Sequence, residues 1–157
     1  MDWLLWAPLG AASLHICEEF LLPGGFPAWY RAYRADPSHI TPRFLMVING
    51  ALLLACCNIA LVGRVPVAVA AWLALTALMA ANGLWHVWAA WKTRTYSPGM
   101  VTGVLVYVPL AIYGYISFVR TGAASIATAV GALVIGGSYQ IWSAVYHGRA
   151  HDKPSRL

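Results

Sequence analysis

The apolar residues of this chain are gathered into five long blocks: Trp3 to Leu22, Phe44 to Gly63, Val67 to Trp91, Val101 to Val119 and Ser125 to Tyr146. Each is near the roughly 20 residues with which a helix crosses a hydrocarbon core about 30 Å thick. Barrel strands would alternate in polarity and run about half as long. The blocks predict an all-α polytopic membrane bundle of five transmembrane helices, forming a single transmembrane domain over residues 1–157. Composition excludes the alternatives. Apolar residues make up 61% of the chain and charged ones 10%, against roughly 25% charged in a soluble domain, so neither a water-soluble domain nor a disordered chain fits. A mean hydropathy of +0.66 leaves too little polar surface to solvate a basic face, and no nucleic-acid partner is expected.

The sequence pI near 9.4 reports topology instead. Arg31, Arg34, Arg43, Lys92, Arg94, Arg149, Lys153 and Arg156 share the side of the first loop, third loop and tail, and only Arg64 and Arg120 lie opposite. The positive-inside rule then puts the N-terminus outside and the tail, residues 147–157, in the cytoplasm. The first block begins at Asp2 with no basic region before it, and polar residues interrupt its second half, so it reads as a retained helix and not a cleaved signal peptide. The basic, aromatic loop 23–43 reads as a short interfacial helix bordered by hinges, or as a charged loop that serves topology alone. Cys17, Cys56 and Cys57 lack metal-type spacing and read as small core residues, with Cys17 inside the first polar motif.

That motif is His15-Ile16-Cys17-Glu18-Glu19, close to the inner end of the first block. An acidic side chain at mid-membrane costs roughly 2.5–3.5 kcal/mol, far more than any one apolar residue returns. At 100° per residue, positions 15, 18 and 19 share an arc about 100° wide, so the imidazole and both carboxyls face one way. Two adjacent carboxyls there stay ionised only if a cation, a metal or strong donors compensate them. The third block, running the opposite way, brings Asn82 and His86 to the same depth, about 9–15 Å from its inner end. Asn49 and Gln140 fall at a similar level, and Tyr139, Ser143 and His147 form a polar stripe descending to it. The fourth block starts with Tyr96-Ser97-Pro98-Gly99-Met100-Val101-Thr102, whose free helix-start amides would point into this layer and hold an anion or an oxyanion.

The ordered combination of HICEE at 15–19, NGLWH at 82–86 and YSPGMVT at 96–102 resembles the HXXEE family of small integral-membrane proteins, which carries HxxEE, NxxxH and YxPGxxT motifs. All three are present without a departure. The resemblance implies His15, Glu18, Glu19, Asn82, His86, Tyr96, Pro98, Gly99 and Thr102 as the functional set, and it implies an enzyme without specifying the reaction.

Read as chemistry, His15 and Glu19 have the i, i+4 spacing of the two protein ligands in the inverted zinc-peptidase motif HxxEH, and Glu18 stands where that motif places its general base. With His86 as the third ligand the set is His2Glu, which predicts a hydrolase-like metalloenzyme. Zinc is the expected metal and non-haem iron the alternative, since two His and one carboxylate also make a facial triad. Asn82, Tyr96 and Thr102 are the further catalytic candidates. The expected partners are the lipid bilayer, a hydrophobic small-molecule substrate and, at most, other copies of the chain. Two readings compete. One is a metal-free acid–base isomerase or isoprenoid cyclase built on the same residues. The other is a proton or metal-ion transporter or sensor, for which the almost wholly apolar outer half of the helices offers no path. Gly131, Gly136 and Gly137 are expected to permit close helix packing, and Pro8 and Pro109 to kink their helices.

Overall fold

A computed structural model describes residues 3–21, 25–33 and 41–142. Among these the fold is all-α, in the order α1 (Trp3–Leu21), α2 (Gly25–Tyr33), α3 (Pro42–Val62), α4 (Pro66–Thr93), α5 (Met100–Thr102), a π-helical turn (Gly103–Tyr107), α6 (Val108–Arg120) and α7 (Ile126–Gly137). The segment from Met100 to Arg120 is one unbroken rod. Arg34, His39, Ser143, Tyr146, His147, His151 and the expected tail lie outside the described residues.

Three helical segments are long and apolar enough to cross a membrane: Pro42–Val62, Pro66–Thr93 and Met100–Arg120. The other two expected crossings differ in kind. In α1 the apolar run is diluted by His15, Glu18 and Glu19. The last apolar helix, Ile126–Trp142, is shorter than the others.

Local chemistry sets the boundaries. Pro42 occupies the first turn of α3, where its missing N–H costs nothing, and Thr41 Oγ1 accepts from the Phe44 amide at 3.1 Å. Pro66 plays the same part for α4, which runs on to a left-handed Arg94. Ser125 caps α7 by accepting from the Thr128 amide at 3.0 Å. The expected interfacial segment does contain a helix, α2, placed in the chain between α1 and α3.

α4 is the central element, touching α1, α3, α7 and the Met100–Arg120 rod. Trp72, fully buried, anchors one end of the bundle. Its indole N–H donates to the Leu4 carbonyl at 2.9 Å, and its ring meets Phe118 edge-on at 5.1 Å, among Leu5, Val69 and Leu73. α4 and the rod meet backbone to backbone at Gly83 and Gly103. A methyl group on Gly83 would stand 2.7 Å from the Gly103 Cα, so both positions need hydrogen for the backbones to cross. Of the three glycines expected to permit close packing, Gly136 does so against Ala74, whereas Gly131 and Gly137 face open space. The lining of one groove, about 650 Å³ and largely apolar, comes from α3, α4 and the end of the last helix. It includes Ala55, Ala71, Leu78 and Tyr139.

Candidate functional site

The polar residues of α1, α4, the 94–102 connection and the last helix converge. Asn49 does not join them: it makes no side-chain hydrogen bond among the described residues, and α3 brings no polar group to the cluster. Cys17, on the far side of its motif, is exposed.

Glu18 and Glu19, neighbours in sequence, have opposite environments. The Glu18 carboxylate is held by five donors from residues 96–102, the approach to the rod and its first turn. Oε1 accepts from the Tyr96 hydroxyl and from the amides of Gly99 and Val101, both at 3.0 Å. Oε2 accepts from the Thr102 amide at 2.7 Å and from the Thr102 hydroxyl. The helix-start amides do bind an anion, as their sequence suggests, and the anion is the chain's own carboxylate. Helix starts favour negative charge because unpaired N–H groups and the aligned peptide dipoles both point at it. Loss of hydration, and then the neighbouring carboxylate, push the Tyr96 phenol above its ordinary range, so it remains a donor throughout the neutral range.

Glu19 is buried and has no such cradle. Its Oε1 lies 3.5 Å from His15 Nε2 and 3.2 Å from His86 Nε2, and both imidazoles are buried with it. The ligating atoms of His15, Glu19 and His86 all lie within 4.8 Å of one another.

The histidines are oriented from behind. The Thr102 hydroxyl gives its proton to Glu18, so towards His15 Nδ1, 2.8 Å away, it can only accept. His15 is then protonated at Nδ1, with the Nε2 lone pair directed inwards. The next contacts agree: Gln140 Nε2 donates to Asn82 Oδ1 at 3.0 Å, which turns the Asn82 amide nitrogen towards His15 Nε2 at 3.2 Å. His86 repeats the pattern, with Nδ1 on the buried Ser97 hydroxyl at 3.0 Å. Both rings thus anchor Nδ1 to a hydroxyl and present Nε2 to Glu19. Gly99, at φ +99°, closes one side. A side chain there would stand 2.8 Å from His15 Cε1 and 2.9 Å from His86 Cε1, and only glycine adopts that backbone without strain. Phe26 of α2 covers His86 at a ring separation of 5.4 Å.

Of the residues singled out in the sequence, His15, Glu18, Glu19, Asn82, His86, Tyr96, Gly99 and Thr102 lie in or against this cluster, whereas Asn49 and Cys17 do not. Ser97 and Gln140 prove to be direct partners of His86 and Asn82, a role their spacing alone does not single out. Tyr107 is missed altogether. Its ring lies on His15 at 4.5 Å, and it sits in an apolar block where a tyrosine reads as core or anchor.

No curated protein and no solved structure matches the chain. Residues 6–114 match a family described as "Protein of unknown function with HXXEE motif". That stretch contains every residue of the cluster except Gln140, and on it the chain belongs to the HXXEE family.

Proposed function

We propose that this chain is an integral-membrane metalloenzyme in which His15, Glu19 and His86 hold a divalent metal ion and which acts on a lipid-like or other hydrophobic small molecule. The observation that carries the reading is the pairing of two Nε2 atoms with one carboxylate oxygen, while each Nδ1 is tied to a hydroxyl, Thr102 or Ser97. Metal-ligating histidines are characteristically fixed in this way through their other nitrogen. The charges support it too. Glu18 has five donors of its own, whereas Glu19 has the two imidazoles alone, and a cation held between them would take up its charge. Zinc suits a His2Glu set in a hydrolytic role, with non-haem iron as the alternative.

The reaction class that fits is hydrolysis, with the metal polarising an ester-like or phosphate-like oxygen. Glu18, whose oxygens are engaged by five donors, serves better as a positioning group than as the general base. The largely apolar groove lined by α3, α4 and Tyr139 of the last helix supports a hydrophobic substrate. We place the site on the cytoplasmic side of a five-crossing bundle, with α1 and the last helix completing the three longer spans and the N-terminus outside, as the basic residues favour.

A metal-free acid–base reading draws support from one contact, the 3.2 Å approach of His86 Nε2 to Glu19 Oε1, which in a protonated His86 would be a charged hydrogen bond. Metal analysis of the purified protein separates the two. The metalloenzyme reading expects one zinc or iron per chain, lost in both Glu19→Gln and His86→Ala. A protein that retains activity on a hydrophobic ester after exhaustive chelation, with no metal bound, overturns it.

A further inference from the structure

Among the described residues, the Tyr107 hydroxyl is the buried side-chain polar atom with no hydrogen-bond partner. Tyr107 is 1% exposed. An orphaned buried hydroxyl is unfavourable and uncommon, because water would otherwise have satisfied it. Its immediate neighbours, Ala11, Ala12, Cys56 and Met79, provide no strong acceptor.

The backbone puts it there by an irregular route. Gly103–Tyr107 is a π-helical turn in which the Val108 amide reaches back to the Gly103 carbonyl, and Tyr107 is its last residue. One residue more per turn rotates everything that follows by about 100° relative to a regular helix. The same turn begins at Gly103, where the rod is pressed against Gly83. It ends with the Tyr107 ring tilted 31° over the His15 ring, 4.5 Å between centroids. π-Turns inside α-helices recur at functional sites because they aim a side chain that regular geometry would misplace.

We propose that the Tyr107 hydroxyl donates a hydrogen bond to the oxygen ligand carried by the His15–Glu19–His86 centre, a water or an oxygen of the bound small molecule. This rests on the metal reading above. It makes Tyr107 a residue that touches the ligand, and it explains why a hydroxyl is retained in an otherwise apolar wall. A fixed donor in a water-poor site stabilises negative charge developing on such an oxygen.

The test uses the full-length protein in detergent, loaded with Co²⁺ as a spectroscopic metal and titrated with acetohydroxamate as an oxygen-donor ligand. Tyr107→Phe keeps the ring and removes only the orphan. The expected result is a fold at least as stable as before and Co²⁺ affinity within about twofold, with acetohydroxamate affinity about tenfold weaker. If the partner is a metal-bound water, the visible spectrum of the Co²⁺ protein also changes in the variant before acetohydroxamate is added. If it is the small-molecule oxygen, only the acetohydroxamate complex responds. Incorporation of 3-fluorotyrosine at position 107, a stronger donor, is expected to tighten acetohydroxamate binding, which keeps the test open should the Phe variant misfold. Equal acetohydroxamate affinity with Co²⁺ bound normally overturns this proposal alone. Failure of the unsubstituted protein to bind Co²⁺ overturns the metal reading and this proposal together.

Discussion

Glu18 and Glu19 are chemically identical and adjacent, and the structure gives them different work. The carboxylate that faces the start of the rod is neutralised by amides and hydroxyls. The one a hundred degrees round the helix meets two imidazoles. The consequence is testable with one isosteric change. Glu18→Gln keeps the volume but sets an NH2 group either against the Gly99 and Val101 amides or against the Thr102 amide, donor against donor. The expected loss is about 2–3 kcal/mol of stability, since a charged hydrogen-bond network is exchanged for an unsatisfied one. It should appear as a lowered midpoint in denaturant titration in detergent, with the helical signal of the folded state unchanged. A midpoint equal to the parent's would mean that the five-donor cradle carries no weight. The two carboxyls and both motif histidines are legible in the sequence because helical periodicity puts 15, 18 and 19 on one face. Which carboxyl meets which partner is not, since that depends on how α1 is rotated against α4 and the rod.

At the scale of elements, the close crossing of α4 with the rod decides whether His86 and Thr102 arrive on the two sides of His15. Gly83 and Gly103 permit that crossing. Gly83→Ala brings a methyl group into rigid backbone and is expected to destabilise the fold by about 1–3 kcal/mol, as overpacking does. Gly10→Ala, on the exposed side of α1 with open space around it, is the matched control. It should leave stability unchanged or raise it by about 0.5–1 kcal/mol through helix propensity. Thermal unfolding of the two variants side by side checks this; equal midpoints would remove the crossing from the account. Helix positions follow from the sequence because prolines, Thr41 and Ser125 mark the starts. The π-turn does not, because nothing in Gly103–Tyr107 distinguishes it from a regular α-helix except its packing against α4.

For the whole molecule, exposed apolar side chains are the dominant surface feature: Met46, Leu54 and Leu61 on α3 are 73%, 66% and 72% exposed. In water such a surface would be an aggregation liability, whereas in a bilayer it is the face that meets lipid. If the basic residues set orientation as proposed, a cysteine placed at Gly122, beside Arg120, is labelled by an impermeant maleimide from outside intact cells. A cysteine replacing Arg94 is labelled only after permeabilisation. Both are introduced into a chain whose own three cysteines have been replaced. Reversed labelling would invert the topology and move the His15–Glu19–His86 cluster to the outer leaflet. Equal labelling of both from outside would break the crossing pattern itself.

The amino-acid sequence by itself determined that the chain is helical, that it carries long apolar segments, of which three of the five predicted are long and apolar enough to span a membrane in the structure, and that the acidic groups and histidines inside those blocks are confined to a few motif positions. These follow from local quantities: hydropathy, periodicity and the cost of an unpaired charge away from water. Only the tertiary structure decided that Glu18 closes the start of the Met100–Arg120 rod while Glu19 faces both histidines. The same is true of Ser97 and Gln140 steering the rings and amides around them, of Asn49 standing apart, and of Tyr107 joining the site. Each of these depends on the rotation and crossing of helices distant in sequence, which packing at Gly83, Gly99 and Gly103 sets and no local pattern encodes.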